Sequence, residues 1–146
     1  DSFDVVTCRV CAHHFADPLA TVRESARVLR PGGCILWLDS VVPADPAQDT
    51  FLNTIELLRD PSHVRDFSIS QWQAMFAEVG LAAEVAGQWA TDLLFDDWTD
   101  RQSTAEEARV MLRQLFHTAT SAVREAFRIR TDPYAFDIPI VLLRAS

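Results

Sequence analysis

The stretch FDVVTCRVCAHHFADPLATVRESARVLRPGGCILWLD, from Phe3 to Asp39, decides the fold because it contains one complete strand-helix-strand unit. Its first part, Phe3 to Cys8, is a β-branched apolar run, which is typical of a strand buried on both faces of a parallel sheet. A polar loop from Arg9 to Asp17 follows the run. The unit therefore predicts an α/β protein.

The middle of the stretch predicts a helix that begins at Pro18, where a missing N–H is tolerated, with Asp17 as its N-cap. Apolar residues recur at helical spacing, namely Leu19, Val22, Ala26 and Leu29. Pro31-Gly32-Gly33 is predicted to end the helix. Cys34 to Leu38 is a second apolar strand, and Asp39 follows it at the carboxyl end, where open α/β sheets bind their ligands.

Three segments of this unit resemble class I S-adenosylmethionine-dependent methyltransferases: Phe3-Asp4-Val5-Val6, His13-His14-Phe15 and Arg27-Val28-Leu29-Arg30-Pro31-Gly32-Gly33. In that family such a strand is the fourth of the sheet, and a helix ending in LxPGG leads to the fifth. Arg59-Asp60-Pro61-Ser62-His63-Val64-Arg65 resembles a subgroup near the ubiquinone and menaquinone biosynthesis enzymes. The resemblance covers nearly the whole chain, more strongly up to about Leu81.

The resemblance implies a fold that is the C-terminal half of a Rossmann-like methyltransferase sheet. Its strand order would be 4-5-7-6, with an antiparallel last strand and flanking helices. We expect residues 1–146 to form a single domain, a partial methyltransferase domain that lacks the N-terminal cofactor-binding half. None of the 4 glycines lies in a GxGxxG pattern. We therefore expect little affinity of this chain alone for S-adenosylmethionine, the cofactor of the complete parent enzyme.

Two helices are predicted after the first unit. The first is capped by Asp49 or Thr50 and ends near Arg59. The second, Gln71 to Val79, is capped by Ser70 and is followed by a glycine. The first carries enough apolar residues to be largely covered, and the second carries its apolar residues on one face.

The last part of the chain predicts two more strands around a long helix. Leu81 to Trp89 is the first of these strands, and the acidic segment Asp96 to Asp100 is predicted to be a turn. A helix is expected from Thr104 to about Phe127, with a capping box at its start. Thr131-Asp132-Pro133 is predicted to interrupt regular secondary structure. A final strand, Ile138 to Leu143, follows it.

The composition limits the classes of partner. A hydrophobic content of 49% and a charged content of 23% are typical of globular proteins. The net charge of −8 argues against nucleic acid and against an anionic membrane surface. No apolar run approaches the roughly 20 residues that span a bilayer. The 3 cysteines fit a reducing compartment better than a disulfide framework, so a cytoplasmic location is expected.

The loop that leaves the first strand is the first candidate site. In the family, the backbone of this loop lies beside the methionine end of the cofactor, and by the resemblance four residues contact it: Cys8, Arg9, Val10 and His13. His14 is the predicted catalytic residue, because a histidine near its ordinary pKa of about 6.5 can act as a base. The alternative is that one histidine packs beside Phe15 while the other is solvated.

Cys8-x-x-Cys11 with the following histidines can also suggest a metal or thiol site. A second CxxC pair is absent from the sequence, and Cys34 falls inside a strand pattern. Adjacent histidines in an extended chain point to opposite sides, which makes a four-ligand site difficult. We therefore predict no metal.

The segment from Arg59 to Arg65 is the second candidate site. Arg59 and Arg65 are predicted to bind a carboxylate or phosphate of the substrate, and His63 is a predicted catalytic acid or base. The alternative is an ion-paired helix end in which Asp60 or Asp66 neutralises the arginines.

These predictions together favour a methyltransferase that transfers a methyl group from S-adenosylmethionine to a small molecule at carbon or oxygen. The alternative is a non-catalytic interaction or regulatory module derived from a methyltransferase. Phe3 to Cys8 would lie at an edge of the sheet, where unpaired backbone groups favour self-association or pairing with another chain.

Overall fold

A computed structural model describes residues 2–146, whose strands form a 5-stranded sheet. The strands are β1 (Phe3–Arg9), β2 (Leu29–Ser40), β3 (Ala83–Leu94), β4 (Arg130–Thr131) and β5 (Tyr134–Ala145). The helices are α1 (Pro18–Val28), α2 (Pro46–Arg59), α3 (Ile69–Ala77), α4 (Phe95–Asp100), α5 (Glu106–Thr118) and α6 (Ser121–Ala126). The α/β class is thus confirmed.

The sheet has the strand order β1-β2-β5-β3, and β4 pairs with β5 outside this path. β1 is parallel to β2, whereas β2 and β4 are both antiparallel to β5. β1 is an edge strand of this sheet, and the prediction that it is buried on both faces is wrong. Phe3 is 55% exposed and Val5 is 48% exposed. Within the described sheet β1 has a partner strand on one side only, so fewer neighbouring side chains cover it.

The boundary between α1 and β2 lies earlier than the sequence predicts. The start of α1 is confirmed, because the Asp17 side chain accepts a hydrogen bond from the Ala20 N–H at 2.9 Å. The helix ends at Val28, however, and Leu29 is already extended, with φ −72° and ψ 137°. Pairing of Leu29 with Phe3 favours the extended chain there. Pro31-Gly32-Gly33 therefore lies inside β2 instead of ending the helix.

The two glycines of this segment have different structural roles. Gly32 has φ +82°, the left-handed conformation that glycine adopts without strain. Gly33 lies against the neighbouring strand, and a Cβ added there would be 2.7 Å from the backbone oxygen of Asp4. The register between β1 and β2 shifts in this region, between the pairs of Phe3 and Val5.

The predicted caps of α2 and α3 are wrong by a few residues. Asp45 caps α2, because its side chain accepts hydrogen bonds from two backbone N–H groups and Pro46 occupies the first turn. Ser68 caps α3 in a capping box with Gln71. The proposed caps Asp49 and Ser70 lie inside these helices.

The later elements differ from the prediction at two places. The acidic segment after β3 forms α4, because its Phe95, Trp98 and Thr99 are buried while its carboxylates face out. The long helix is two helices, α5 and α6, and the Thr120 hydroxyl starts α6 by accepting a hydrogen bond from the Val123 N–H. The expected capping box is absent from the start of α5, where Ala105 is the N-cap. The final strand is confirmed as β5 and is longer than predicted.

The chain divides into two compact units, each with its own aromatic core. The first unit contains the described residues up to Val41, with Val64–Trp89 and Ile140–Ser146. In its core the ring of Trp37 lies 5.0 Å from Trp72 and 5.6 Å from Phe76, measured between ring centroids.

The second unit contains Val42–His63 and Ala90–Pro139. Phe116 is central to its core, with ring centroids 4.9 Å from Phe136 and 5.7 Å from Phe95. Across residues 2–146, the helices are all too short or too polar to cross a membrane.

Candidate functional site

The carboxyl ends of β1 and β2 bring a histidine and a carboxylate together in the first unit. Because these strands are parallel, their carboxyl ends meet at the same edge of the sheet. The chain leaves β1 at Val10, whose N–H donates to the Leu38 carbonyl at 2.8 Å and whose φ is 50°. A short 3-10 helix, Ala12–His14, then places His13 beside Asp39 at the end of β2.

Asp39 is the centre of the site and is only 1% exposed. Its Oδ2 accepts hydrogen bonds from the backbone N–H groups of Ala12, at 2.5 Å, and His13, at 3.2 Å. Its Oδ1 accepts from the Ser40 N–H at 2.9 Å and lies 2.6 Å from Nδ1 of the His13 ring. Both oxygens are therefore fixed by donors from two segments of the chain.

A second buried carboxylate, Asp66, is connected to this pair through Ser40. The Ser40 hydroxyl donates to Oδ1 of Asp66 at 2.5 Å and lies 3.5 Å from Nδ1 of His13. Burial raises the pKa of Asp66 to about 6, while the Ser40 hydrogen bond and the charge of His13 act in the opposite direction. The site thus contains two buried carboxylates and one mostly buried imidazole.

His14 and the two cysteines surround this cluster. The rings of His13 and His14 are 4.2 Å apart between centroids, and both side chains are partly buried. The Sγ atoms of Cys8 and Cys11 are 3.4 Å apart as free thiols. Burial raises the pKa of the Cys8 thiol well above its ordinary value, and the contact with Cys11 adds to the effect. A thiol in this state is a poor nucleophile and a poor metal ligand.

The geometry does gather one set of potential metal ligands, which are His13, Asp39 and Asp66. One ligand atom from each lies within 4.8 Å of the others. The set differs from the cysteine-based site that the sequence suggested as an alternative, because Nδ1 of His13 meets a carboxylate. The prediction of no metal stays a prediction.

Arg59, which we predicted to bind substrate, makes several contacts within the second unit. Its Nε donates to the Trp98 carbonyl at 3.0 Å, and its guanidinium lies 5.1 Å from the centre of the Trp98 ring. Nη1 lies 3.5 Å from Glu56, so an acidic partner exists, although it is not the predicted Asp60 or Asp66. A substrate carboxylate would have to compete with these partners.

The other two residues predicted from the second candidate segment lie in different units. His63 belongs to the second unit, is 5% exposed, and places Nε2 3.1 Å from Oδ1 of Asn53. Arg65 belongs to the first unit, where its guanidinium lies 5.7 Å from the Phe67 ring centre. The backbone N–H of Arg65 donates to the His13 carbonyl at 3.0 Å, so this part of the segment does reach the loop after β1.

The four predicted cofactor contacts differ in exposure, because Cys8 is buried and His13 is partly buried. Arg9 and Val10 are exposed, and Val10 adopts a left-handed conformation that is unusual for a β-branched residue. The expected contacts of this loop to the methionine end of S-adenosylmethionine stay a prediction. The glycine-rich turn that would hold the adenosine is not among the 146 residues.

The sequence predicts some residues of this cluster but not how they come together. Asp39 was recognised as a carboxylate at the end of a strand but received no role. The sequence suggests Asp66 only as a neutralising partner of arginines, and it predicts no role for Ser40. The link between them depends on the backbone of Val64 and Arg65 docking on the His13 carbonyl, at 2.9 and 3.0 Å. No local pattern in the sequence predicts such a contact.

Comparison with known proteins gives close relatives of uncharacterised function. The family profile described as "Methyltransferase domain" matches residues 1–37. YcgJ of Bacillus subtilis, described as an uncharacterized methyltransferase, is 40% identical over 149 residues, which is 99% of this chain and 58% of YcgJ. The uncharacterized protein YafE of Escherichia coli is 33% identical over 145 residues, which is 99% of this chain and 70% of YafE. The chain thus spans between about half and three quarters of the length of these relatives.

Two solved structures are also similar to nearly the whole of this chain. The crystal structure of YcgJ matches with a TM-score of 0.96 over 99% of this chain and 64% of that chain. A protein of Bacillus halodurans assigned to the methyltransferases, BH2331, matches at 34% identity with a TM-score of 0.94, over 98% of this chain and 68% of that chain.

Proposed function

This chain belongs to the class I S-adenosylmethionine-dependent methyltransferases, and on that premise we propose that its protein methylates a small molecule at oxygen or carbon. The observation that supports a catalytic role is the cluster of His13, Asp39 and Asp66 at the carboxyl ends of β1 and β2. In open α/β sheets this edge is where ligands bind. The exposed loop beside the cluster would contact the methionine end of the cofactor.

We also propose how the chain relates to the family fold. In this proposal β1, β2, β5 and β3 correspond to the family's strands 4, 5, 7 and 6, and these residues form part of a methyltransferase domain. The observed order and the antiparallel β5 are consistent with that correspondence. A position near the ubiquinone and menaquinone enzymes has less support, because the relatives that match nearly the whole chain are not described by those substrates.

The experiment that tests the function uses the natural gene product. We expect calorimetry to give a dissociation constant for S-adenosylmethionine in the micromolar range, and we expect S-adenosylhomocysteine to be released when a hydroxyl or carbon-acid acceptor is added. Absence of both binding and release would reject the function. The 146 residues alone, which lack the glycine-rich turn, are expected to bind with much lower affinity. Micromolar binding by them would contradict our division of the cofactor site.

A second candidate is the non-catalytic interaction module, and the exposed apolar residues of β1 favour it. Such a module would bind a partner chain through this edge and would show no transfer in the same assay. A cytoplasmic location, which either candidate would suit, is proposed from the cysteine content and composition.

A further inference from the structure

Two thiols at the end of β1 lie in contact with each other. The Sγ atoms of Cys8 and Cys11 are 3.4 Å apart, and both residues are free cysteines. We propose that these residues form a reversible disulfide when a hydroperoxide oxidises Cys11, so that the loop after β1 is a site of thiol modification. The proposal concerns this loop itself and does not depend on methyl transfer.

The backbone of the loop holds the two sulfur atoms together. Cys8 lies in β1, and the chain turns two residues later at Val10, whose φ is 50°. The Val10 N–H donates to the Leu38 carbonyl at 2.8 Å, which fixes the turn to β2. Cys11 is the N-cap of the 3-10 helix, and its carbonyl accepts from the His14 N–H at 3.1 Å. Backbone hydrogen bonds on each side of Cys11 therefore maintain the contact between the thiols.

Only a short movement separates this contact from a covalent bond. A disulfide has an S–S distance of about 2.05 Å, so the sulfur atoms must approach by roughly 1.4 Å from their present 3.4 Å. The remaining cysteine, Cys34, is out of reach. It lies opposite Val5 in the register of the two strands, whereas Cys8 lies opposite Trp37, about 10 Å further along β2. Cys8 and Cys34 cannot be bridged over such a distance.

Exposure determines which sulfur reacts first. Cys8 is 8% exposed and belongs to the buried core of the first unit. Cys11 is only partly buried and packs against the edge of that core. Because an oxidant arrives from the solvent, it meets the more accessible thiol first. Cys11 is therefore the residue that is oxidised, and Cys8 is the neighbour that resolves the product.

The reaction consumes one hydroperoxide and balances in two steps. The Cys11 sulfur attacks a peroxide oxygen, the O–O bond breaks, and the leaving oxygen takes the thiol proton, which gives a sulfenic acid. The Cys8 sulfur then attacks the Cys11 sulfur, the S–O bond breaks, and hydroxide leaves with the Cys8 proton as water. The two thiols lose two electrons and the peroxide gains them. Burial makes Cys8 a poor nucleophile in solution terms, but contact with its target gives it a high effective concentration.

The disulfide also changes how the loop holds Asp39. The two residues after Cys11, which are Ala12 and His13, donate their N–H groups to Oδ2 of Asp39 at 2.5 and 3.2 Å. Movement of Cys11 towards Cys8 displaces the peptide group that carries the first of these donors. In nitrogen-15 NMR spectra we expect the backbone amide signals of Ala12 and His13 to shift on oxidation and to return on reduction. Signals that stay in place would contradict this effect on Asp39.

Peptide mapping of the natural gene product tests the disulfide. Trypsin separates the three cysteines, because Cys8 precedes Arg9, Cys11 lies within residues 10–23 and Cys34 lies within residues 28–59. The protein is treated with hydrogen peroxide, and the remaining thiols are blocked with N-ethylmaleimide. Mass spectrometry should then find the first two peptides joined in most of the protein and separated again by dithiothreitol. Cys34→Ser is the matched control and should leave this joined pair unchanged.

Two further variants test the order of the steps. Cys8→Ser should stop at a sulfenic acid on Cys11, which dimedone traps, whereas Cys11→Ser should give no dimedone label on Cys8. A label on Cys8 in that variant would overturn the assigned order. Wild-type protein in which Cys8 and Cys11 are both blocked after peroxide treatment, or in which either is joined to Cys34 or to a second molecule, would overturn the proposal. This wild-type result needs no variant to fold.

Discussion

Asp66 shows how one buried residue can determine the pH dependence of stability. Burial raises its pKa from 3.8 to about 6. Between these pH values the folded protein keeps a proton that the unfolded chain has released, so the free energy of unfolding falls as the pH rises through this window. This group alone lowers stability at pH 7 by up to about 3 kcal/mol relative to pH 3.8.

We expect Asp66→Asn to be more stable than the wild type at pH 7 and to lose this advantage as the pH approaches 4. The asparagine carbonyl can still accept the Ser40 hydrogen bond, so only the buried charge is removed. Denaturant unfolding at several pH values measures the effect, with the exposed Asp97→Asn as the matched control. An advantage that is equal at pH 4 and pH 7 would contradict the assigned pKa.

The candidate functional residues differ in how well the sequence alone predicts their roles. Asp39 can be predicted, because a carboxylate directly after a buried strand lies at the edge of the sheet where ligands bind. His13 and His14 cannot be distinguished by their neighbours, since only the 3-10 helix decides which ring meets Asp39. The role of Asp66 cannot be predicted from the sequence, because its burial results from contacts with residues far away in the chain, such as Ser40, 26 positions before it.

At the level of single elements, the start of α3 offers a direct comparison of two neighbouring serines. Ser68 accepts the hydrogen bond of the Gln71 N–H, whereas Ser70 lies exposed in the first turn. Ser68→Ala should lower the free energy of unfolding by about 1 kcal/mol, because a backbone donor loses its partner. Ser70→Ala is the matched control; it removes only the exposed contact between the two serine hydroxyls, 3.0 Å apart, and should change stability little. Chemical denaturation of both variants measures the difference, and equal losses would argue against the observed cap.

The existence of most elements could be predicted, but their ends could not. β1, α1, β2, α2, α3, β3 and β5 were all expected from apolar periodicity. Their boundaries depend on which of several nearby cap residues is used, as with Asp45 instead of Asp49. α4 was missed because an acidic segment suggests a turn until the burial of Phe95 and Trp98 is known. The break at Thr120 was missed because apolar residues continue at helical spacing across it.

At the level of the whole molecule, β1 forms one edge of the described sheet. β1 exposes Phe3 and Val5, and an open groove of about 390 Å³ lies beside it, lined by Val6 and by residues of α1. Unpaired backbone groups next to exposed apolar side chains favour pairing with another strand. We therefore propose that this chain associates through β1 and, from its net charge of −8, that nucleic acid is not its partner.

We expect the 146-residue chain to form dimers or larger species as its concentration rises, and Val5→Lys to weaken this association. Val85→Lys is the matched control, because Val85 is 45% exposed on the opposite edge strand, β3. Sedimentation velocity over a wide range of concentrations measures the effect. A monomer at all concentrations, or equal effects of the two lysines, would count against the proposal.

The adjacent glycines of β2 place two independent limits on how this sequence can vary during evolution. At position 32 a new side chain would meet no atom within 4 Å, so residues that tolerate a left-handed backbone, such as asparagine, remain accessible. Any side chain at position 33 would collide with the backbone oxygen of Asp4, which cannot rotate away. Some substitutions at position 32 can therefore be tolerated, whereas any substitution at position 33 requires β1 to move. The packing of the strand that leads to the candidate loop therefore depends on glycine at position 33.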